Sequence, residues 1–405
     1  MIPRLIADLE RNLAARNAEG LQRVRRTLSG VDGTRVQVDG RSLTSFASND
    51  YLGLSQHPDV VAAVREGASR WGAGASSSHV VSGHCSPHAA LESELADLVR
   101  PCAGARALVF SSGYLANLAI LSALAGRGDA VFADRLNHAS LNDGALLSRA
   151  EFIRYPHSDI AALRRQLESS EAKRKLIATD AVFSMDGDIA GLPDLAALAE
   201  EFDAWLVVDD AHGFGVLGSA ARPGAGTLAH FGLAAERIVM MGTLGKAAGV
   251  SGAFVAAHPA VIETLTQEAR SYIFTTAAPQ PLAEALRASI RIIRSDHARR
   301  EHLMALIGRF RARMRALPWR LLDSRTAIQP LLVGANAAAV ALADALWQRG
   351  YWVPAIRPPT VPKGTARLRV TLTAAHSTND VDGLVEALAG LADAYARGSP
   401  GATAS

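Results

Sequence analysis

Short apolar runs separated by amphipathic stretches dominate residues 46–275: RALVF (106–110), DAVFA (129–133), KLIATDAVF (175–183), AWLVVDD (204–210), RIVMMG (237–242) and AFVAA (253–257). Apolar runs of about four to eight residues that alternate with helical patterns predict strand–helix units feeding a mainly parallel sheet, an α/β fold. Helix starts carry local marks: Ser86-Pro87 opens one, Leu192-Pro193-Asp194 opens another, and DLAALAEEF repeats apolar residues at helical spacing. Residues 1–45 predict an amphipathic helix and then an irregular or β segment around GTRVQVDGRSLTSF, an arm rather than a domain. From about 280 the pattern turns to long helices, then to strands near 328–333, 351–354 and 366–371, and to a last helix over 380–395. The expected division is an arm (1–45), a large domain (46–278), a smaller C-terminal α/β domain (279–396) and a disordered tail, RGSPGATAS (397–405).

Composition narrows the function classes. At 405 residues and 49% hydrophobic, the chain can bury a large core, and 42 basic against 39 acidic residues, interspersed, leave a net charge of only +3. No basic face is offered to nucleic acid or to an anionic membrane. The longest uncharged stretch, Ala107 to Gly126, is broken by Ser111-Ser112-Gly113 and Asn117, so no membrane segment is expected. Two cysteines, Cys85 and Cys102, form no CxxC pair, and the opening MIPRLIADLERNLAARN is charged rather than signal-like; the expected compartment is the reducing cytoplasm.

The cations are almost all arginine. Lysine occurs only at Lys173, Lys175, Lys246 and Lys363, and of these Lys246 alone sits among glycines and apolar residues, in MMGTLGKAAGVSGAFV. Arginine would serve any structural ion pair, but it cannot give up its proton to become a nucleophile, whereas a partly desolvated lysine can. Lys246 is therefore a candidate nucleophile, set against the plainer reading of a lysine stem lying along a glycine loop.

In an open parallel sheet, ligands bind beyond the carboxyl ends of the strands. After RALVF, Ser112-Gly113-Tyr114 opens a helix whose free N–H groups suit a phosphate, although such a turn is common. After DAVFA, His138 begins a helix and could lay its ring on an aromatic cofactor, or simply cap the helix. After KLIATDAVF come Ser184 and Asp186, which a capped turn would explain as well. After AWLVV comes Asp209, a carboxylate at the end of an apolar strand, where desolvation demands a cation: a protonated pyridine, or an arginine. His212 follows it by three residues, and RIVMMG leads to Thr243 and Lys246, a hydroxyl for phosphate and an amine for a Schiff base. Together these groups describe a site for pyridoxal 5'-phosphate (PLP), whose ring is an electron sink for carbanion chemistry.

Three rival readings are weaker. Gly213-Phe-Gly215-Val-Leu-Gly218 fits GxGxxG, but ARPGAG follows instead of a helix and no acidic residue ends the next strand. His84 and His88 stand four apart, but Pro87 places the helix start between them and no further ligands are evident in sequence, so no metal is expected. A hydrolase triad from Ser112, His138 and Asp209 lacks a GxSxG elbow.

In this order and spacing, FSMDGD, DDAHG and TLGK resemble the α-oxoamine synthases of the class-II PLP-dependent aminotransferase family, over nearly the whole chain. The resemblance implies the fold-type-I architecture of aspartate aminotransferase. SFASNDYLGL, NHASL, VDDAHGFGVLG, TAIQPLLVG and AIRPPTVPKGTARLRVTLTAAH are most similar to the branch that condenses L-alanine with a pimeloyl thioester in biotin biosynthesis, and Arg-Pro-Pro-Thr within IRPPTVP separates it from branches using glycine with acetyl or succinyl thioesters. Carried over, the resemblance implies that Lys246 is the Schiff-base lysine, that His138 stacks on the pyridine ring, and that Asp209 pairs with its nitrogen. It also implies that Ser184 and His212 meet ring substituents, and that Gly113, Tyr114 and Thr243 hold the phosphate. Arg369 and Arg23, the latter beside Arg25 and Arg26, are the implied carboxylate-binding residues, with Asn49 and Thr360 as further substrate contacts. A homodimer is implied, with Ser271–Thr276 serving the neighbouring phosphate, and the acyl carrier is either coenzyme A or an acyl carrier protein. Serines at 76–78 depart from the glycine-rich stretch of the family. A glycine-using ligase and a non-catalytic subunit of the same fold remain as alternatives.

Overall fold

Strands buried on both faces form the centre of the larger unit, because their side chains alternate across the sheet and both sides are apolar. The computed structural model describes residues 3–398, which pack as two units: 49–184 with 188–301, and a smaller one from the described parts of 1–48, 185–187 and 302–405. In the larger unit seven strands form one sheet: β1 (Arg106–Phe110), β2 (Ala130–Asp134), β3 (Glu151–Tyr155), β4 (Lys175–Asp180), β5 (Ala204–Asp209), β6 (Ile238–Thr243) and β7 (Ala253–Ala257). Their order is β1-β7-β6-β5-β4-β2-β3. Strand β7 runs antiparallel to both its neighbours, and the remaining pairs are parallel. All residues of β2 and β7 are buried.

The six apolar runs all become strands, with two differences. Strand β3 is an edge strand in which only Tyr155 is fully buried, so Glu151 and Arg154 interrupt the apolar signal that marks its neighbours. The run 175–183 stops as a strand at Asp180, because Val182 bridges back to Ile189 and the Phe183 N–H donates to the Asp188 carbonyl at 3.0 Å. Helices Ser86–Val99 and Leu192–Glu201 begin where their proline signals stand. Helix Gln280–Ser295 belongs to the larger unit, so the division by packing differs from one drawn at 278/279. Its Ala285 and Ala288 join Val60 in a buried cluster, and a Cβ on Gly67 of helix Pro58–Trp71 would lie 2.8 Å from the Pro281 backbone.

The smaller unit holds two four-stranded sheets. Ile328–Gly334 and Ala366–Thr371 pair antiparallel at the centre of one, flanked by Arg320–Leu321 and Ala355–Ile356. The other joins Leu28–Asp32, Arg35–Val38 and Arg41–Ser45 to Tyr351–Trp352, so the expected arm is built into the unit by a parallel pairing with its C-terminal half. Helix Arg4–Ala18 buries none of its residues. The last helix, Thr378–Gly398, runs into the segment expected to be a disordered tail, whose residues 399–405 lie outside the described residues. Among the described residues no helix is long and apolar enough to cross a membrane.

One half-buried charge cluster ties strand ends together. His157, just past β3, places Nδ1 3.0 Å from Asp134 at the end of β2 and Nε2 3.0 Å from Asp188, with its edge on the Phe183 ring at 4.4 Å. Burial alone would lower the His157 pKa, but the bonds to Asp134 and Asp188 outweigh it and raise the value from 6.5 to about 10. A raised folded-state pKa contributes stability that is complete below the unfolded value and is lost as pH rises through the folded one. His157→Gln is accordingly expected to destabilise by about 1–3 kcal/mol in mildly acidic buffer, the worth of hydrogen bonds to charged groups. In denaturant melts the deficit should shrink as pH rises from 6.5 and vanish above about 10. A deficit that holds constant over that range would contradict the charged bridge.

Candidate active site

Asp209 ends β5, where the strand carries it into an apolar interior at 4% exposure. Its Oδ2 accepts the Asn117 side-chain N–H at 2.7 Å and its Oδ1 accepts the Ala211 amide at 3.0 Å. Among the described residues it takes no ion pair, so the arginine partner that sequence left open is not there. Asn117 is held one helical turn inside Gly113–Leu124 and donates also to Ser140 Oγ at 2.9 Å, which in turn lies 2.7 Å from His138 Nδ1. His138 caps helix Ala139–Ser148, its Nδ1 accepting the Ser140 amide, while its ring faces Tyr114 edge-on at 6.3 Å. Burial lowers the His138 pKa, with Asp209 raising it and Lys246 lowering it.

The loop that carries His138 is fixed from β4. Asp180 accepts the His138 backbone N–H at 2.8 Å, and Asn137 accepts the Asp180 N–H at 3.1 Å while donating to the Ala178 carbonyl at 2.7 Å. Asp180 stands in register opposite Asp209 on the neighbouring parallel strand. Burial, then the Asp209 charge, hold its carboxyl well above the usual carboxylate range. Of this pair Asp209 is the one with N–H donors on both oxygens.

Lys246 follows β6. Its Nζ lies 2.9 Å from His212 Nε2, and His212 Nδ1 lies 2.5 Å from the Tyr51 hydroxyl, which donates to Asn49 Oδ1 at 3.2 Å. The glycines around Lys246 are required by close approach: a Cβ at Gly249, whose φ is +71°, would meet the Ser55 nitrogen at 2.5 Å. Thr243 ends β6 and donates to the Ala211 carbonyl at 3.1 Å. Its methyl would lie 2.8 Å from a Cβ on Gly113, so only glycine leaves that space open. At Gly113 helix Gly113–Leu124 starts, capped by Ser112, and its first two amides, Gly113 and Tyr114, take no acceptor among the described residues. Open amides at a helix start beside a threonine suit a phosphate. Tyr114 donates its hydroxyl proton to Asp143.

Sequence reasoning missed Tyr51, Asn117, Asn137 and Asp180. The signals were present: a lone Asn inside an apolar helix, and an Asp inside an apolar run. Asp186 is paired with Arg367 at 2.7 Å within the smaller unit, an ion pair and not a ligand-facing group. The GxGxxG match is packed from within the chain: a Cβ on Gly213 would lie 2.1 Å from Asp210, whose carboxylate accepts the Thr227 amide and hydroxyl at 2.7 and 2.5 Å, and a Cβ on Gly218 would lie 2.5 Å from the Arg222 carbonyl.

In the smaller unit, Arg23 reaches the Thr360 hydroxyl at 3.5 Å beside a groove of about 290 Å³ that Leu21, Val24, Ile356 and Arg357 also line. Arg26 is committed elsewhere, to Asp39 at 2.8 Å and to the Trp347 ring at 3.9 Å. Arg369 lies buried on Ala366–Thr371, donating to the Thr371 hydroxyl at 2.9 Å.

The family pattern of class I and II aminotransferases matches residues 41–388. The chain belongs to that family. It is 58% identical over 384 residues to the 8-amino-7-oxononanoate synthase of Aromatoleum aromaticum, covering 95% of this chain and 98% of that protein. Its fold matches a serine palmitoyltransferase from S. paucimobilis with bound PLP and myriocin at a TM-score of 0.90, with 29% identity over 98% of this chain and 100% of that one. It matches the 8-amino-7-oxononanoate synthase of Francisella tularensis at a TM-score of 0.74, with 30% identity over 87% and 98%. The chain is a PLP-dependent acyltransferase of fold type I.

The residues present fit PLP. Asp209 is a buried carboxylate with no ion pair among the described residues, Gly113 and Tyr114 offer open amides, and Lys246 is an amine at the same strand ends. Gly113→Ala should fill the space under Thr243 and weaken PLP binding at least roughly tenfold, a cost of ~1.4 kcal/mol or more, in a spectroscopic titration of the apo-protein. Unchanged affinity, with the alanine accommodated, would remove Gly113 and Thr243 from the phosphate site.

Proposed function

We propose that this chain condenses L-alanine with a pimeloyl thioester, carried by coenzyme A or by an acyl carrier protein, to give 8-amino-7-oxononanoate, carbon dioxide and the free carrier, as a cytoplasmic homodimer. The observation that carries the reading is the Asp209 carboxylate, buried and bonded to two N–H groups with no ion pair among the described residues. Such a group calls for a cationic partner, and a protonated pyridine is one. PLP, when bound, supplies an electron sink for bonds broken at the amino-acid Cα.

The chain's own residues do the remaining work. Asp209 holds the ring nitrogen and His138 the ring face; Gly113, Tyr114 and Thr243 hold the phosphate; Ser184 and His212 hold ring substituents. Lys246 binds the cofactor aldehyde and moves the proton at Cα, with His212 2.9 Å from its nitrogen to take up or return that proton. Arg369 and Arg23 bind substrate carboxylates, Thr360 supports Arg23, and Asn49 completes the substrate contacts through Tyr51. The dimer reading is supported by Leu5, Leu9 and Leu13, exposed at four-residue spacing on helix Arg4–Ala18, and by Phe274, 72% exposed and two residues before Thr276. Ser271 donates instead to the Leu115 carbonyl of its own chain at 2.8 Å, which narrows any role toward a neighbouring phosphate to Phe274–Thr276.

Two experiments test the reading. Alanine and glycine, each supplied with pimeloyl-, acetyl- and succinyl-coenzyme A and with a pimeloyl carrier protein, should yield the expected product by mass only from alanine with a pimeloyl donor. Turnover of glycine alone would make the chain a glycine-using ligase of the same family, and no turnover would favour a non-catalytic subunit. Separately, borohydride should bleach the yellow holoenzyme and leave its added mass on the peptide containing Lys246, while Lys246→Ala should trap nothing. Label on another lysine would overturn the assignment.

A further inference from the structure

A π-helical turn and the next helix start gather three imidazoles, none of them among the residues assigned to PLP. His79 opens the turn His79–Gly83, and His84 and His88 flank the beginning of helix Ser86–Val99. One ring nitrogen of each lies within 4.8 Å of one from each of the others. The turn that produces this is tight: a Cβ on Gly83 would stand 2.2 Å from the Ser77 carbonyl oxygen. In sequence only His84 and His88 stand at ligand-like spacing; His79 joins them through this irregular turn, a geometry over-represented at functional sites.

The inner and outer faces of the rings are distinguishable. His79 Nδ1 and His84 Nδ1 are 3.1 Å apart, close to the roughly 3.3 Å between two nitrogens bound tetrahedrally to one zinc at about 2.0–2.1 Å. His79 is fixed by stacking on Tyr272, with ring centroids 5.2 Å apart and planes 7° from parallel. The outer nitrogen of His84, Nε2, faces the Glu92 carboxylate at 3.8 Å, and Glu92 is itself anchored by the Val109 amide at 3.0 Å. The outer nitrogen of His88, Nε2, donates to the Ala278 carbonyl at 2.8 Å. Metal-bound histidines are oriented in this way, by a carboxylate or carbonyl on the nitrogen that does not bind. The inner nitrogen of His88 accepts the Cys85 amide at 3.1 Å, so His88 joins a metal by giving up that bond, whereas His79 and His84 are already at binding separation.

We propose that His79, His84 and His88 form a divalent transition-metal site, binding through Nδ1, with Glu92 orienting His84 from outside the ligand set. Three imidazoles suit Zn²⁺, Co²⁺ and Ni²⁺ and exclude Mg²⁺ and Ca²⁺, which require oxygen ligands. The competing account of the same geometry is a His79–His84 hydrogen bond that needs no ion. It predicts no metal uptake.

The test uses the PLP-loaded enzyme, stripped by chelator and then dialysed against Zn²⁺ or Co²⁺. One ion per chain should bind, and Co²⁺ should develop a ligand-field band to the red of the PLP absorption. His79→Ala and His84→Ala should each weaken binding at least tenfold and abolish the band, with PLP absorbance unchanged; Glu92→Gln should weaken it by roughly 10–100-fold, the usual effect of losing an orienting partner. If an alanine variant does not fold, the corresponding glutamine variant takes its place. No uptake by the parent enzyme, or uptake of equal affinity in the His84 variant, overturns the proposal.

Discussion

A buried carboxylate with no ion pair among the described residues sets the terms for the larger unit. Isolating an ionised group from water costs several kcal/mol even after relaxation, and hydrogen bonds offset only part of that. Asp209 receives two N–H bonds, from Asn117 and Ala211, and its neighbour across β4 and β5 is a second carboxylate, Asp180. Two adjacent buried anions are untenable, so the environment separates them. Asp180 is driven towards its protonated form by burial and by Asp209, and acts through its oxygen as a clamp on the His138 backbone. Asp209 keeps the N–H donors and, in the reading proposed above, the role of counter-ion. A pyridinium bound there would satisfy the carboxylate and is also what makes the cofactor useful, so on that reading the burden on the apo-protein and the chemistry of the holoenzyme share one cause.

From that constraint the surrounding packing follows. The helix carrying Asn117 must start close enough to β6 for Asn117 to reach β5, and only a glycine at 113 clears the Thr243 methyl. Gly242 lies against the Phe254 ring, where a Cβ would come within 2.5 Å, and Gly215 lies against Ala247. These glycines look in sequence like a flexible surround for Lys246. They are close-approach sites in a dense interior, and they hold the lysine in place rather than freeing it.

Period and composition made much of this legible. Six strands stand where apolar runs stand because burial on both faces leaves no room for charge, and their polar ends stand out for the same reason. The edge strand β3 escaped because half of its side chains face water, and the extent of the larger unit escaped because helix Gln280–Ser295 is assigned by which apolar face it buries, a matter of tertiary packing. Residue roles divided similarly. Asp209, His138 and Lys246 were conspicuous as polar groups after apolar runs, whereas Tyr51 and His79 owe their positions to long-range folding and an irregular turn. Sequence alone does not rank Arg23, Arg25 and Arg26, because what separates them is long-range packing: Arg26 lies over Trp347 and Arg23 reaches Thr360.

The contacts around Lys246 tie the proposed base role of His212 to a single hydrogen. The Tyr51 hydroxyl lies 3.2 Å from Asn49 Oδ1 and 2.5 Å from His212 Nδ1, and His212 Nε2 lies 2.9 Å from Lys246 Nζ. The hydroxyl has one hydrogen to share between two neighbours. Directed at Asn49, it leaves Nδ1 as the donor and places the imidazole lone pair on Nε2, towards the amine. Directed at Nδ1, it puts the ring proton on Nε2, and the imidazole faces the amine as a donor. Only the first arrangement lets a neutral His212 take up a proton from Lys246, so the exchange proposed between them depends on the Tyr51–Asn49 bond, one residue removed from the imidazole.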